Sequence, residues 1–202
     1  MTELLLQIRR FAGAEVVTSR AARRGVMVLV FALLTALGAY VAVPLPGTQV
    51  PVTLQAMAVI LAGALLGPGL GAASQVAYLT AGVLGAPVFS GGAAGVAWLF
   101  GPTGGYLLAF PAAAAVVGAL AGPAGVRRGA VRLAALARLG AALALGSAVI
   151  LVGGTAQLAI LTGDLEAAVA LGVVPFLVGD GVKILAALAI AARVRGRTLG
   201  LL

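Results

Sequence analysis

The chain has 202 residues, of which 62% are hydrophobic and only 9% charged, with a mean hydropathy of +1.19. Water-soluble domains carry about 25% charged residues, so this composition excludes an ordinary soluble fold and makes lipid the solvent. The net charge of +8 comes from arginines in three separate clusters rather than a continuous basic face, which excludes a nucleic-acid surface.

A hydrocarbon core about 30 Å thick takes roughly 20 helical residues per crossing, so the length admits about six crossings and no second domain. Residues 1–25 form a cytoplasmic N-terminal segment with Arg9, Arg10, Arg20, Arg23 and Arg24, in which Leu4, Ile8 and Phe11 recur at the spacing of an amphipathic helix. Residues 26–43 carry no charge and are the first span. This run is longer than a secretory signal core and lacks a small-x-small cleavage site, so it is read as retained. Its Ala32 and Ala36 stand at a spacing that lets another helix approach closely.

A loop with Pro44, Pro46 and Pro51 precedes the second span, residues 52–66, which breaks at Gly67-Pro68-Gly69. The third, residues 70–84, contains Ser74, Gln75, Tyr78 and Thr80, so one side of it faces protein or a cavity. The two make a tight helical hairpin, with Gly63, Gly67 and Gly71 available for close contact. Residues 86–105 are glycine-rich, carry Pro87 and Pro102, and form a structured external loop between helices 3 and 4. Span four covers residues 106–120, and a basic loop with Arg127, Arg128, Arg132 and Arg138 follows. Span five covers residues 139–161, span six residues 167–192, and residues 193–202 form a basic cytoplasmic tail with Arg193, Arg195 and Arg197.

Charge tests this topology, because alternating crossings put the N-terminus, the loops after spans two and four, and the C-terminus on one side. Twelve of the 13 basic residues fall there, and Asp164 and Glu166 fall on the other. The expected fold is thus an all-α membrane protein of six transmembrane helices with both termini inside; five or seven spans would break the agreement.

The thirteenth basic residue, Lys183, lies within span six together with Asp180. An ionised group at bilayer mid-depth costs about 2.5–3.5 kcal/mol on insertion scales, so two in one helix need compensation. Three residues apart, they share a helical face and can pair away from lipid. They either form an inward polar binding site or lock helix packing; the first reading is favoured because a buried pair is a poor device for stability alone. Asp180 suits amide-like donors and Lys183 a polar or anionic group. Pro175 either frees backbone carbonyls near the site or only kinks the helix. Phe89, Trp98 and Tyr106 are candidates to wall an apolar ring system, with Ser90 and the glycines allowing close backbone approach; an interfacial aromatic belt is the alternative for Trp98. Gln55 and Gln75 are further candidates for contacting a solute, or else bond between helices.

The chain has no cysteine and no histidine, which removes disulfides, imidazole or thiolate metal sites and most nucleophilic catalysis. No metal or cofactor is expected. An intramembrane enzyme would have only Ser90, Ser147 or Tyr106 to work with beside the charged pair. The only lysine is Lys183, so there is no phosphate-binding Gly-Lys-Ser/Thr loop and ATP hydrolysis would need other subunits.

Six segments together carry a family resemblance: Gln49-Val50-Pro51-Val52-Thr53-Leu54-Gln55, the Gly67-Pro68 turn, residues 78–82, Gly85-Ala86-Pro87-Val88-Phe89-Ser90-Gly91-Gly92, Gly101-Pro102-Thr103-Gly104-Gly105-Tyr106-Leu107, and Pro175-Phe176-Leu177-Val178-Gly179-Asp180-Gly181-Val182-Lys183. The sequence resembles the biotin-specific membrane subunit (BioY) of energy-coupling-factor (ECF) vitamin transporters. The resemblance implies a six-helix substrate-capture subunit with an outward-facing biotin pocket in a bacterial cell membrane, and not an enzyme. It carries the ligand role onto Asp180, Lys183 and Tyr106. It further implies that Ala32 and Ala36 dock a transmembrane coupling subunit bound to two ATPases. Another vitamin as ligand, or a membrane scaffold in which Asp180 and Lys183 only fix assembly, are the competing readings.

Overall fold

A computed structural model of the chain describes residues 19–123 and 129–202. The expected amphipathic helix with Leu4, Ile8 and Phe11, and the basic residues Arg9, Arg10, Arg127 and Arg128, lie outside the described residues. Six α-helices follow in order: α1 Arg20–Tyr40, α2 Gln55–Val83, α3 Gly104–Leu120, α4 Gly129–Thr162, α5 Leu165–Gly172 and α6 Leu177–Leu201. Two short strands, β1 Ala42–Val43 and β2 Val52–Thr53, pair antiparallel, with Ala42 opposite Thr53 and Val43 opposite Val52. Among the described residues, four helical segments are long and apolar enough to cross a membrane: Arg20–Tyr40, Gln55–Val83, Val131–Thr162 and Leu165–Leu201. A shorter apolar helix covers Gly104–Leu120.

Helix α2 is a hairpin. Gly67 interrupts it at φ 81°, ψ 179°, a conformation that favours glycine, and Pro68 opens the second arm. The Gln55 side-chain amide donates to the Tyr78 hydroxyl. In an unbroken helix those residues would stand about 34 Å apart along the axis, so the arms must run back against each other. A methyl on Gly71 would come within 2.9 Å of the Gly63 backbone, which is how closely the arms approach.

Other helices pack as tightly, and for the same reason. A Cβ on Gly63 would meet the Ala114 carbonyl of α3 at 2.2 Å, and one on Gly105 would meet the Gly153 carbonyl of α4 at 2.2 Å. Without a hydrophobic drive between helices in lipid, such backbone proximity supplies the dispersion contact that holds a bundle together. The buried core includes Ile60, Val117 and Leu143, while Leu29, Leu33 and Leu37 of α1 face outward.

Four boundaries differ from expectation. The first helix starts at Arg20, capped by the Ser19 side chain accepting from Ala22 N at 3.1 Å, so the arginines after Ser19 are helical. Residues 52–53 are strand, and the following helix begins at Gln55. Arg132 and Arg138 lie inside α4 rather than in a loop; Arg138 Nε donates to the Leu120 carbonyl at 2.8 Å. The expected sixth span is interrupted: α5 ends at Gly172, a 3₁₀ turn at Val174–Phe176 contains Pro175, and α6 restarts at Leu177.

The expected basic tail is also the last part of α6. Buried Arg195 donates through Nε to the Ala64 carbonyl (2.6 Å), through Nη1 to Ala121 (3.1 Å) and through Nη2 to Gly122 (2.6 Å). Carbonyls at a helix C-terminus have no partner in their own helix, so one guanidinium satisfies the ends of the first α2 arm and of α3 together.

Replacing Gly63 by alanine forces that contact apart and is expected to cost about 1–3 kcal/mol, read as a lowered unfolding midpoint in detergent. Gly69→Ala, where the added methyl meets nothing within 4 Å, is the matched control and should leave the midpoint nearly unchanged.

Candidate functional site

A cavity of about 550 Å³, open solvent included, lies where the β1–β2 loop, the loop before α3 and the start of α6 converge. Val50, Pro51 and Thr53 line it from the strand hairpin, Ser90, Trp98 and Thr103 from the second loop, and Asp180 and Lys183 from α6. Gln55, Tyr106, Phe110 and Phe176 complete much of the wall.

The interruption at residues 173–176 changes what Asp180 experiences. It stands in the first turn of α6 rather than in mid-helix, where unpaired N–H groups and the helix dipole favour a carboxylate. Lys183 Nζ donates to Asp180 Oδ1 at 2.9 Å, and the Ser147 hydroxyl of α4 donates to Oδ2 at 2.9 Å. Both charged side chains are about nine-tenths buried, yet both border the cavity. Each carboxylate oxygen keeps further acceptor capacity, and Lys183 has donors beyond the one used by Asp180.

Tyr106 is held by glycines. Its ring fills the space a Cβ on Gly154 would need, and its hydroxyl donates to the Gly172 carbonyl at 2.8 Å. The Phe176 ring lies 6.0 Å from it, centroid to centroid. Tyr106 therefore braces the end of α5, immediately before the interruption, while its ring faces the cavity.

The covering loop is ordered by specific bonds. Gly85, Gly91, Gly92 and Gly95 all have positive φ, and two 3₁₀ turns, Ser90–Gly92 and Val96–Phe100, replace regular helix. Gln157 Nε2 of α4 donates to the Leu99 (3.0 Å) and Gly101 (2.6 Å) carbonyls, and Tyr40 donates to Pro87 O at 2.6 Å. Trp98, 36% exposed, sits at the mouth.

Six of the eight expected contact residues thus border one cavity: Asp180, Lys183, Tyr106, Ser90, Trp98 and Gln55. Phe89 does not. It is fully buried, packed edge-on to Tyr78 at 5.8 Å in the space left by Gly82, so it supports the loop from behind. Nor does Gln75, which is buried between helices, donating to Ser74 Oγ at 3.0 Å and accepting from Thr35 Oγ1 at 3.2 Å. Of the expected docking pair, Ala36 is buried in the core and Ala32 is half-buried on α1. Ser147 is the polar contact absent from the expected set.

Removing the Tyr106 hydroxyl (Tyr106→Phe) orphans the Gly172 carbonyl, a loss of about 1 kcal/mol. Hydrogen exchange should speed up at residues 173–177 and stay unchanged in α3; equal protection in both proteins would show that the brace carries no weight.

The model of the BioY family matches residues 10–199. The chain is 43% identical over 172 residues to a Pyrococcus horikoshii protein named "Probable biotin transporter BioY", covering 85% of this chain and 96% of that one. It is 33% identical over 166 residues to the Thermotoga maritima biotin transporter BioY, covering 82% and 92% respectively. Its fold is similar to the crystal structure of an S-component for biotin from an ECF-type ABC transporter, with TM-score 0.75, 24% identity, and coverage of 88% of this chain and 93% of that chain.

Proposed function

The chain belongs to the BioY family, and from that membership we propose that it is the membrane subunit that captures biotin for an ATP-driven uptake transporter. It is a transport protein and not an enzyme, in keeping with the family. The observation that carries the ligand reading is the Asp180–Lys183 pair, bordering a cavity walled by aromatic and aliphatic groups. A pair that served packing alone would have no reason to border a cavity.

Biotin offers a cyclic urea with two N–H donors, an apolar thioether ring and an ionised valerate tail. Asp180 accepts from a ureido N–H group, Lys183 donates to a polar or anionic group of the ligand, and Tyr106, Trp98 and Phe176 cover the ring system; Ser90 and Gln55 supply further polar contacts. With Asp180 ionised and Lys183 protonated the empty site is neutral, so burying the carboxylate would leave uncompensated negative charge. The tail therefore points to the mouth beside Trp98, where water reaches it.

The proposal includes six crossings with both termini inside. Supporting it, the hairpin break at Gly67 divides α2 into two arms, and the described arginines lie toward the start of α1, the start of α4 and the end of α6, whereas Asp164 and Glu166 lie at the α4–α5 turn. It includes a bacterial cell membrane as location, and assembly with a transmembrane coupling subunit and a pair of ATPase subunits. The latter is supported by the likeness of fold to an S-component of an ECF-type transporter. The proposed docking surface is the stretch of α1 around Ala32 and Ala36, whose small side chains let another helix approach closely.

Calorimetric titration of the purified protein tests the reading. Asp180→Asn and Lys183→Ala should each weaken biotin binding about tenfold or more, because a hydrogen bond to a charged group contributes about 1.5–3 kcal/mol. Unaltered affinity in both variants ends the site assignment, and thiamine or riboflavin binding in place of biotin ends the ligand assignment.

A further inference from the structure

Resting on that reading, we infer that Ser147 is a positioning residue for biotin: its hydroxyl holds one oxygen of Asp180 so that Lys183 cannot claim the whole carboxylate. Ser147 is almost fully buried on α4 and does not itself border the cavity. Its hydroxyl bonds to Asp180 Oδ2, across 33 residues of sequence, at 2.9 Å. A serine in a membrane helix ordinarily returns its proton to the carbonyl one turn back, so this side chain serves another helix instead.

The consequence follows from the geometry of the carboxylate. Lys183 binds Oδ1 alone, from one turn along the same helix. In a dry site an ammonium gains by bridging both oxygens, and nothing in α6 itself prevents Asp180 from turning to allow it. Ser147 opposes that turn by holding Oδ2 from α4. The carboxylate is fixed with acceptor capacity left for one N–H group of a cyclic urea, and Lys183 keeps donors free. Without the hydroxyl, acid and base close on each other, and a ligand must first separate them.

Calorimetry of biotin binding to the full chain in detergent tests this with Ser147→Ala and with Ser147→Cys, which keeps nearly the same volume but donates weakly. Each should weaken biotin about ten- to a hundredfold. In an Asp180→Asn background, Ser147→Ala should add no more than about a twofold loss, because the group it positions is already altered. Wild-type affinity in either Ser147 variant, with Asp180→Asn impaired, overturns the positioning role and leaves the pocket reading intact. An equal loss in both backgrounds also overturns it, since a general packing defect would act independently of Asp180. Wild-type affinity in Asp180→Asn instead defeats the pocket reading on which the inference rests.

Discussion

Everything at the cavity end of this bundle answers to one constraint: an acid and a base sit in an otherwise apolar stretch of helix and must be kept from lipid without being spent on each other. The chain meets it by interrupting the helix. Ending α5 at Gly172 and restarting at Leu177 puts Asp180 in a helix first turn, where backbone N–H groups favour its charge. The same interruption turns Phe176 and the pair toward a common cavity, and Tyr106 ties its near end to α3. Ser147 then occupies the second carboxylate oxygen from α4.

The rest of the fold makes that arrangement rigid. Glycines at the α2–α3 and α3–α4 crossings bring backbones into contact, so the helices that carry the cavity's side chains are held at close spacing. At the far end, Arg195 binds carbonyls of the first α2 arm and of the segment ending α3. Helix α6 therefore carries the cavity-bordering charges near its start and a clamp on other helices near its finish.

The parts of this design that follow a local rule were legible in the sequence. The three-residue spacing of Asp180 and Lys183 put both on one helical face, the Gly67-Pro68 turn announced the hairpin, and the glycine-rich stretch before Tyr106 announced an irregular loop. Parts that depend on distant neighbours were not. Ser147 is one of three hydroxyls in an alanine-rich helix, with Thr155 and Thr162, and its partner lies on another element. Phe89 points away from the cavity because Gly82 leaves a hole for it, which no periodicity in a loop reveals. Gln75 reads from the sequence as either a solute contact or a bond between helices, and its neighbours in the fold are Ser74 and Thr35. Arg195 resembled a solvated tail residue; the open carbonyls ending two other helices were the signal, visible only once those ends are brought together.

The central claim is that this acid and base meet a ligand in the cavity rather than only one another. An experimental density map of the protein purified with biotin measures it directly. The account predicts a bicyclic ligand between Trp98 and Tyr106, with its urea within hydrogen-bond distance of Asp180 and its tail toward the mouth. An empty cavity with the ligand bound elsewhere, or Asp180 and Lys183 sealed in contact with no solute beside them, would contradict it.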